Sequence, residues 1–263
     1  MNLIDTHCHL DFFGNGLDSI LQHAKEAAVE AMISCGTEAA DWPLHREIAN
    51  RYAHVHYSVG IHPTNVTPNW EADLEILEQF FSKTPHPIAM GEFGLDYHDI
   101  KSDATTIITQ QKEAFRQQLL IARKYDCPII IHSRNAFEDC KTLIDQSQCN
   151  WENIVIHCFS EDAEMIREVN IRGGRGSFTG IVTYKNAEKI RQALLAQGVE
   201  RLMLETDSPY LAPIPFRSKQ NEPAFIRETA RYVATLLGLS ELELSTITTQ
   251  NAKLFFRMDK NTK

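Results

Sequence analysis

Short apolar runs recur along the chain, and each is unbroken rather than alternating. They are NLIDTH near the start, then 30–36 (EAMISCG), 55–63, 87–94, 128–134, 153–160, 174–181 and 201–207 (RLMLETD). Strands covered on both faces read this way, because neither side meets water. Between the runs the apolar spacing becomes helical. Leu17, Ile20, Leu21, Ala24 and Ala28 fall on one stripe, as do Leu74, Leu77 and Phe81. Phe115, Leu119 and Ala122 form another, and Ile226, Ala230, Val233 and Leu237 a fourth. A last amphipathic stretch, 241–256, predicts a helix packed back onto the body.

Eight β-runs alternating with helices predict an α/β fold, a (β/α)8 TIM barrel forming one domain over 1–263. An open doubly wound sheet is the competing topology. No G-x-G-x-x-G follows the first run, which disfavours a dinucleotide fold. The polar segment 96–106 is long enough to be a lid. Segment 209–223, with four prolines, reads as an extended, ordered loop after the last strand.

Polar residues stand where the runs stop. His7 and His9 end the first, His62 follows the third, and Glu92 ends the fourth. His132, His157 and Asp207 end the fifth, sixth and eighth. A parallel barrel gathers these ends at one rim, the face that carries the chemistry of barrel enzymes. His7 and His9, two apart, share one face of a strand, with Asp5 expected on that face below them. Singly, each residue has an ordinary explanation. A histidine after "III" is more often a satisfied core residue than a ligand, and a carboxylate often caps a helix. Buried together without cations, however, they would be very costly. Four histidines and two carboxylates exceed one tetrahedral site and suit two ions sharing a carboxylate. Such donors accept Mg²⁺, Mn²⁺ or Zn²⁺.

Composition narrows the picture. With 263 residues, 43% hydrophobic, the chain can bury a large core. A net charge of −9 argues against a broad basic face gripping duplex DNA. It does not exclude a nuclease, since bound cations offset the acids around them. The six cysteines form no C-x-x-C pair and read as reduced thiols. No basic-then-apolar leader and no apolar run of ~20 residues is apparent, so the expected location is cytoplasmic, without a membrane or an obligate protein partner.

The segments DTHCHLD, GEFGLDYH, PIIIHSR, HCFS, ETDSPYL, RSKQNEP and TTQNAKLFF stand in that order between about residues 3 and 257. Together they resemble the TatD family of metal-dependent deoxyribonucleases. The resemblance implies that His7, His9 and Asp207 hold one metal, His132 and His157 a second, and that Glu92 bridges the two. His62 and Arg134 would meet substrate, Arg134 at a phosphate. Glu205 and Ser208 would support the aspartate, and Asn221 and Glu222 would brace the loop. The implied activity is a 3′-to-5′ exonuclease-like cleavage of single-stranded DNA ends with two divalent ions.

Two metals would lower the pKa of a shared water, and Asp207 could take its proton as general base beside Glu92. Lys185 and Arg217 are weaker phosphate candidates. Tyr97 and Phe159, just past strand ends, could stack on a base. The chain departs from the family at Glu161 and Asp162, where a glycine is usual, and at Ser218 and Gln220, which replace a glycine and a basic residue. The same rim could instead cleave another ester or amide, such as a lactone or an aminoacyl-tRNA ester. A non-catalytic metal-binding protein is disfavoured, because none of the six ligands is missing.

Overall fold

The computed structural model describes residues 2–100 and 104–258. Eight strands lie in chain order in one sheet: β1 (Leu3–Cys8), β2 (Val29–Cys35), β3 (Val55–Val59), β4 (Ala89–Asp96), β5 (Ile129–Arg134), β6 (Ile154–Ile156), β7 (Arg175–Phe178) and β8 (Met203–Leu204). Each pairs in parallel with the next. The ends of β1 and β8 close the ring. Asp207 N–H donates to the His7 carbonyl at 2.9 Å, and His9 N–H to the Ser208 carbonyl at 2.8 Å. The barrel is therefore sealed by the two segments that carry three of the expected ligands.

Alternation sorts the strand residues into two cores. Ile4, Ala31, Ile33, Ala89, Ile130, Val155 and Met203 belong to a small cluster with Phe255 and Phe256, which plug the barrel floor. Their neighbours Leu3, Met32, Met90, Ile129, Ile131, Ile154, Ile156 and Leu204 belong to the large cluster between sheet and helices. Counting in twos from Ile130, Val155 and Met203 brings His132, His157, Glu205 and Asp207 to the inner face above that floor.

Strict alternation fails on β1 and β4. The pairing slips by one residue between Asp5 and Cys8, and again between Met90 and Phe93. An extra residue in a strand re-aims the side chains beyond it. The slip in β1 overturns one expectation: Asp5 does not join the histidines. It is fully buried, accepting from Thr206 N–H at 2.8 Å and Thr206 Oγ1 at 2.6 Å.

The helices are α1 (Leu17–Glu26), α2 (Trp42–Arg51), α3 (Trp70–Phe81), α4 (Ala104–Tyr125), α5 (Phe137–Ser147), α6 (Ala163–Arg172), α7 (Glu188–Gln197), α8 (Ile226–Leu237) and α9 (Glu241–Phe255). Ala28 falls outside the first stripe. α1 ends at Glu26, and Ala28 has φ +62°, turning the chain into β2. α9 begins with a capping box between Ser240 and Glu243 and carries Phe255 under the barrel, as the last amphipathic stretch predicts. Part of the expected lid, residues 101–103, lies outside the described residues. No helix among the described residues is long and apolar enough to cross a membrane.

Candidate metal centre

Glu92 sits at the middle of the rim, and its two oxygens face different imidazoles. Oε1 lies 2.6 Å from His157 Nε2, 2.7 Å from His132 Nδ1 and 3.5 Å from His62 Nε2. Oε2 lies 3.2 Å from His7 Nε2 and 3.7 Å from His9 Nε2. Asp207 Oδ1 completes the second group, 3.4 Å from His9 and 3.7 Å from His7. The structure thus gathers these six residues around Glu92 in one continuous cluster, in which His7 also stacks on His157 with ring centroids 4.0 Å apart.

Glycines allow the close approach of β4 to β5. Gly94 pairs with His132 at φ +155°, and a Cβ there would lie 2.0 Å from the His132 carbonyl oxygen. A side chain at this position would push apart the strands that carry Glu92 and His132. Asp207 has φ +56°, a conformation uncommon for a non-glycine residue and one found at functional sites.

The far nitrogens of the rings fix which atoms face inward. His9 Nδ1 lies 3.0 Å from the Cys35 carbonyl oxygen, so it carries the proton and leaves Nε2 a lone pair. His132 Nε2 donates to Asp96 Oδ2 at 3.1 Å, which leaves Nδ1 facing Glu92. His157 Nδ1 is 3.7 Å from Glu205 Oε1. Glu205 is itself held by Cys158 N–H and Ser177 Oγ, each at 2.5 Å. Carboxylates and carbonyls behind the imidazoles are the usual support of metal-bound histidine.

The electrostatics test whether cations fit. Nitrogens meet at 3.3 Å between His7 and His9 and again between His132 and His157. Two lone pairs so close repel unless a positive charge lies between them. Burial opposes charge on every member, yet the bond to Asp207 and the charges of Glu92 and Asp207 hold His9 up at about 9. Burial likewise opposes charge on Glu92, but His157, His7, His62 and the His132 bond keep it well below the usual carboxylate range. His132 is raised against its burial by Asp96 and Glu92, and His157 by Glu92 and Glu205. Burial keeps His7 down and pushes His62 down to about 3, so these two rings stay neutral beside the charged ones. Neutral imidazoles facing ionised carboxylates make an N/O donor set that suits divalent ions, which would displace the remaining protons.

The remaining expected residues fall into place unevenly. His62 lies against the cluster, its ring 4.3 Å from that of His132. Arg134 is exposed and lines the cavity of about 640 Å³ over the centre, making no ion pair among the described residues. Ser208 is fully buried, its carbonyl bonded to His9 N–H. Asn221, also buried, donates to the carbonyls of Thr206 at 2.9 Å and Tyr210 at 2.5 Å, bracing the loop. Glu222 faces His23 at 3.2 Å. Lys185 and Arg217 line a smaller cavity beyond Ile181, with Arg217 4.1 Å over the Tyr184 ring.

Two expectations need correcting. Tyr97 does not line the cavity. Its hydroxyl donates to Asp139 at 2.9 Å, and its ring packs on the core. Phe159 is 2% exposed, wedged between Phe137 and Phe178, so no base can reach its face. Sequence reasoning also missed Asp96, although Glu92 and Asp96, four apart, share a strand face.

A model of the TatD related DNase family matches residues 4–257 of the chain. The chain is 35% identical over 259 residues to YabD of Bacillus subtilis, an uncharacterized metal-dependent hydrolase, covering 98% of this chain and 100% of that one. It is 35% identical to YcfH of Escherichia coli K12, also an uncharacterized metal-dependent hydrolase, covering 98% and 97%. Its fold is similar to that of YJJV, a TatD homologue from Escherichia coli K12, with a TM-score of 0.90, 27% identity and coverage of 97% and 98%.

Proposed function

This chain belongs to the TatD related DNase family and is a metal-dependent hydrolase of that type, and from that premise we propose that it cleaves phosphodiesters of DNA, taking nucleotides from the 3′ ends of single strands. The observation that carries the reading is the division of Glu92 between two groups of imidazoles. His7, His9 and Asp207 with Glu92 Oε2 would hold one divalent cation, and His132 and His157 with Glu92 Oε1 the other. Bound as a pair, such ions supply a water of lowered pKa and a positive field for phosphate oxygens.

The chain's own groups do the rest. The Asp207 carboxylate, 14% exposed towards the cavity, accepts the proton of the attacking water. Arg134, without an acidic partner among the described residues, presents its guanidinium fork to a phosphate oxygen. His62 lies beside Glu92 Oε1, where it can donate to the substrate. Among the described residues that line the cavity, Arg134 is the one lysine or arginine, and the chain carries a net charge of −9, which favours strand ends over long duplexes. All six cysteines are free thiols, five of them buried, which suits a reducing, cytoplasmic setting.

The test is a panel of single-stranded DNA, RNA and carboxylic-ester substrates assayed with Mg²⁺, Mn²⁺ or Zn²⁺, with Glu92→Gln as control. Metal-dependent shortening of DNA from the 3′ end, lost in the variant, supports the proposal. Turnover of esters with none of DNA overturns it.

A further inference from the structure

Among the described residues, Phe12 and Tyr210 are the only exposed phenylalanine, tyrosine or tryptophan side chains, and they touch. Phe12 is 56% exposed and Tyr210 50%. Their ring centroids are 5.8 Å apart, edge to face. Both line the cavity over the metal centre, where they are the only such rings. Single exposed apolar residues are common and mean little, but a joined pair at the mouth of a polar cavity is unusual.

Hydrogen bonds tie down the backbone beneath both rings. Phe12 lies in the 3-10 turn Leu10–Gly16 that follows β1, and the fully buried Leu10 anchors that turn through an N–H bond to Ser34 Oγ at 3.2 Å. Tyr210 lies in the loop after β8. Its N–H donates to the Asp207 carbonyl at 2.9 Å, and its carbonyl accepts from Asn221. The rings flank His9, with centroids 6.2 and 6.3 Å from the imidazole. A planar group resting on them would therefore sit directly beside the His7, His9 and Asp207 group.

Resting on the proposed nuclease reading, we infer that Phe12 and Tyr210 form a stacking platform for a nucleobase of the DNA substrate, seating it while its phosphate reaches the metal centre. Every base has a π-face, so the platform accepts any of the four bases and distinguishes a base-bearing end from one without a base. The polar wall of His132, Asp96 and Arg134 offers no comparable surface.

The experiment compares a short single strand with the same strand whose last two 3′ residues are abasic, using the metal-loaded full chain. In the parent, removing the bases raises KM roughly tenfold or more. In the Phe12→Ala, Tyr210→Ala double variant the two strands give the same KM, while kcat stays within about twofold of the parent. Tyr210→Phe, which keeps the ring, retains the parent's preference. Both side chains are half-exposed, so the substitutions leave the core intact. A parent that cuts both strands with equal KM, or a double variant that keeps the full preference, overturns the platform and leaves the nuclease reading standing. A parent that cuts neither strand overturns both.

Discussion

Asp96 accepts the Nε2 proton of His132 at 3.1 Å and thereby turns the ring's other nitrogen onto Glu92 at 2.7 Å. Removing that support frees the ring to rotate. Asp96→Ala is expected to weaken metal binding by about 10–100-fold, with Asp96→Asn milder because an amide oxygen still accepts. Competition against a chelating dye measures it. An affinity equal to the parent's in Asp96→Ala would mean that the ring needs no such partner.

Gly94→Ala tests the strand contact beneath the site. The new methyl meets the His132 carbonyl oxygen at 2.0 Å with φ at +155°. The expected loss is about 1–3 kcal/mol or more, read from denaturant midpoints. Gly16→Ala is the control, since nothing lies within 4 Å of its Cβ position. It should be neutral to slightly stabilising. Equal effects at the two positions would show that the approach of β4 to β5 tolerates a side chain.

His45 gives the fold a pH dependence, in a pocket where its Nε2 faces Asp11 at 3.6 Å and Asp41, itself pushed up to about 6 by burial, at 3.7 Å. His45 is fully buried, bonded to Ser34 Oγ at 2.8 Å, and burial, helped by the charge on His9, pushes it down to about 3. An unfolded histidine takes a proton near pH 6.5, whereas the folded ring refuses one down to about 3. The stability present above 6.5 is therefore lost as pH falls through that interval, by about 2 kcal/mol between pH 7 and pH 5. His45→Asn keeps a partner for Ser34 but cannot titrate. The variant should be less stable at pH 7 and lose about 2 kcal/mol less than the parent on acidification. Parallel pH profiles for parent and variant would contradict the assignment.

How much of this was legible in the sequence depends on the alternation of each strand. His132, His157 and Asp207 lie an even number of residues beyond the apolar floor residues Ile130, Val155 and Met203, so their inward aim follows from period two alone. Glu92 and His7 sit past one-residue slips in β4 and β1, which no local pattern announces. The same slip removed Asp5 from its expected place. β6 and β8 are only Ile154–Ile156 and Met203–Leu204, shorter than the runs 153–160 and 201–207, and Cys158 at φ +46° and Asp207 at φ +56° turn the chain beyond them. Tyr97 and Phe159 were misread because position past a strand end does not say which side of the loop a ring takes. The pairing of Phe12 with Tyr210 joins opposite ends of the chain, and only closure of the barrel at β1 and β8 reveals it.

Arg134→Ala should weaken the grip on DNA without disturbing metal binding. Loss of one phosphate contact is expected to make the log–log salt dependence of KM shallower by about 0.7 on single strands. Steady-state assays at several salt concentrations measure the slope. An unchanged slope would place Arg134 away from the phosphates.

The central claim is that one carboxylate serves both halves of the rim. A crystal grown with Mn²⁺ and recorded at the manganese edge tests it most directly. Two anomalous peaks per chain are expected, about 3.5–4 Å apart. One should lie among His7, His9, Asp207 and Glu92 Oε2, the other among His132, His157 and Glu92 Oε1. A single peak, or two with Glu92 touching only one, would contradict the account.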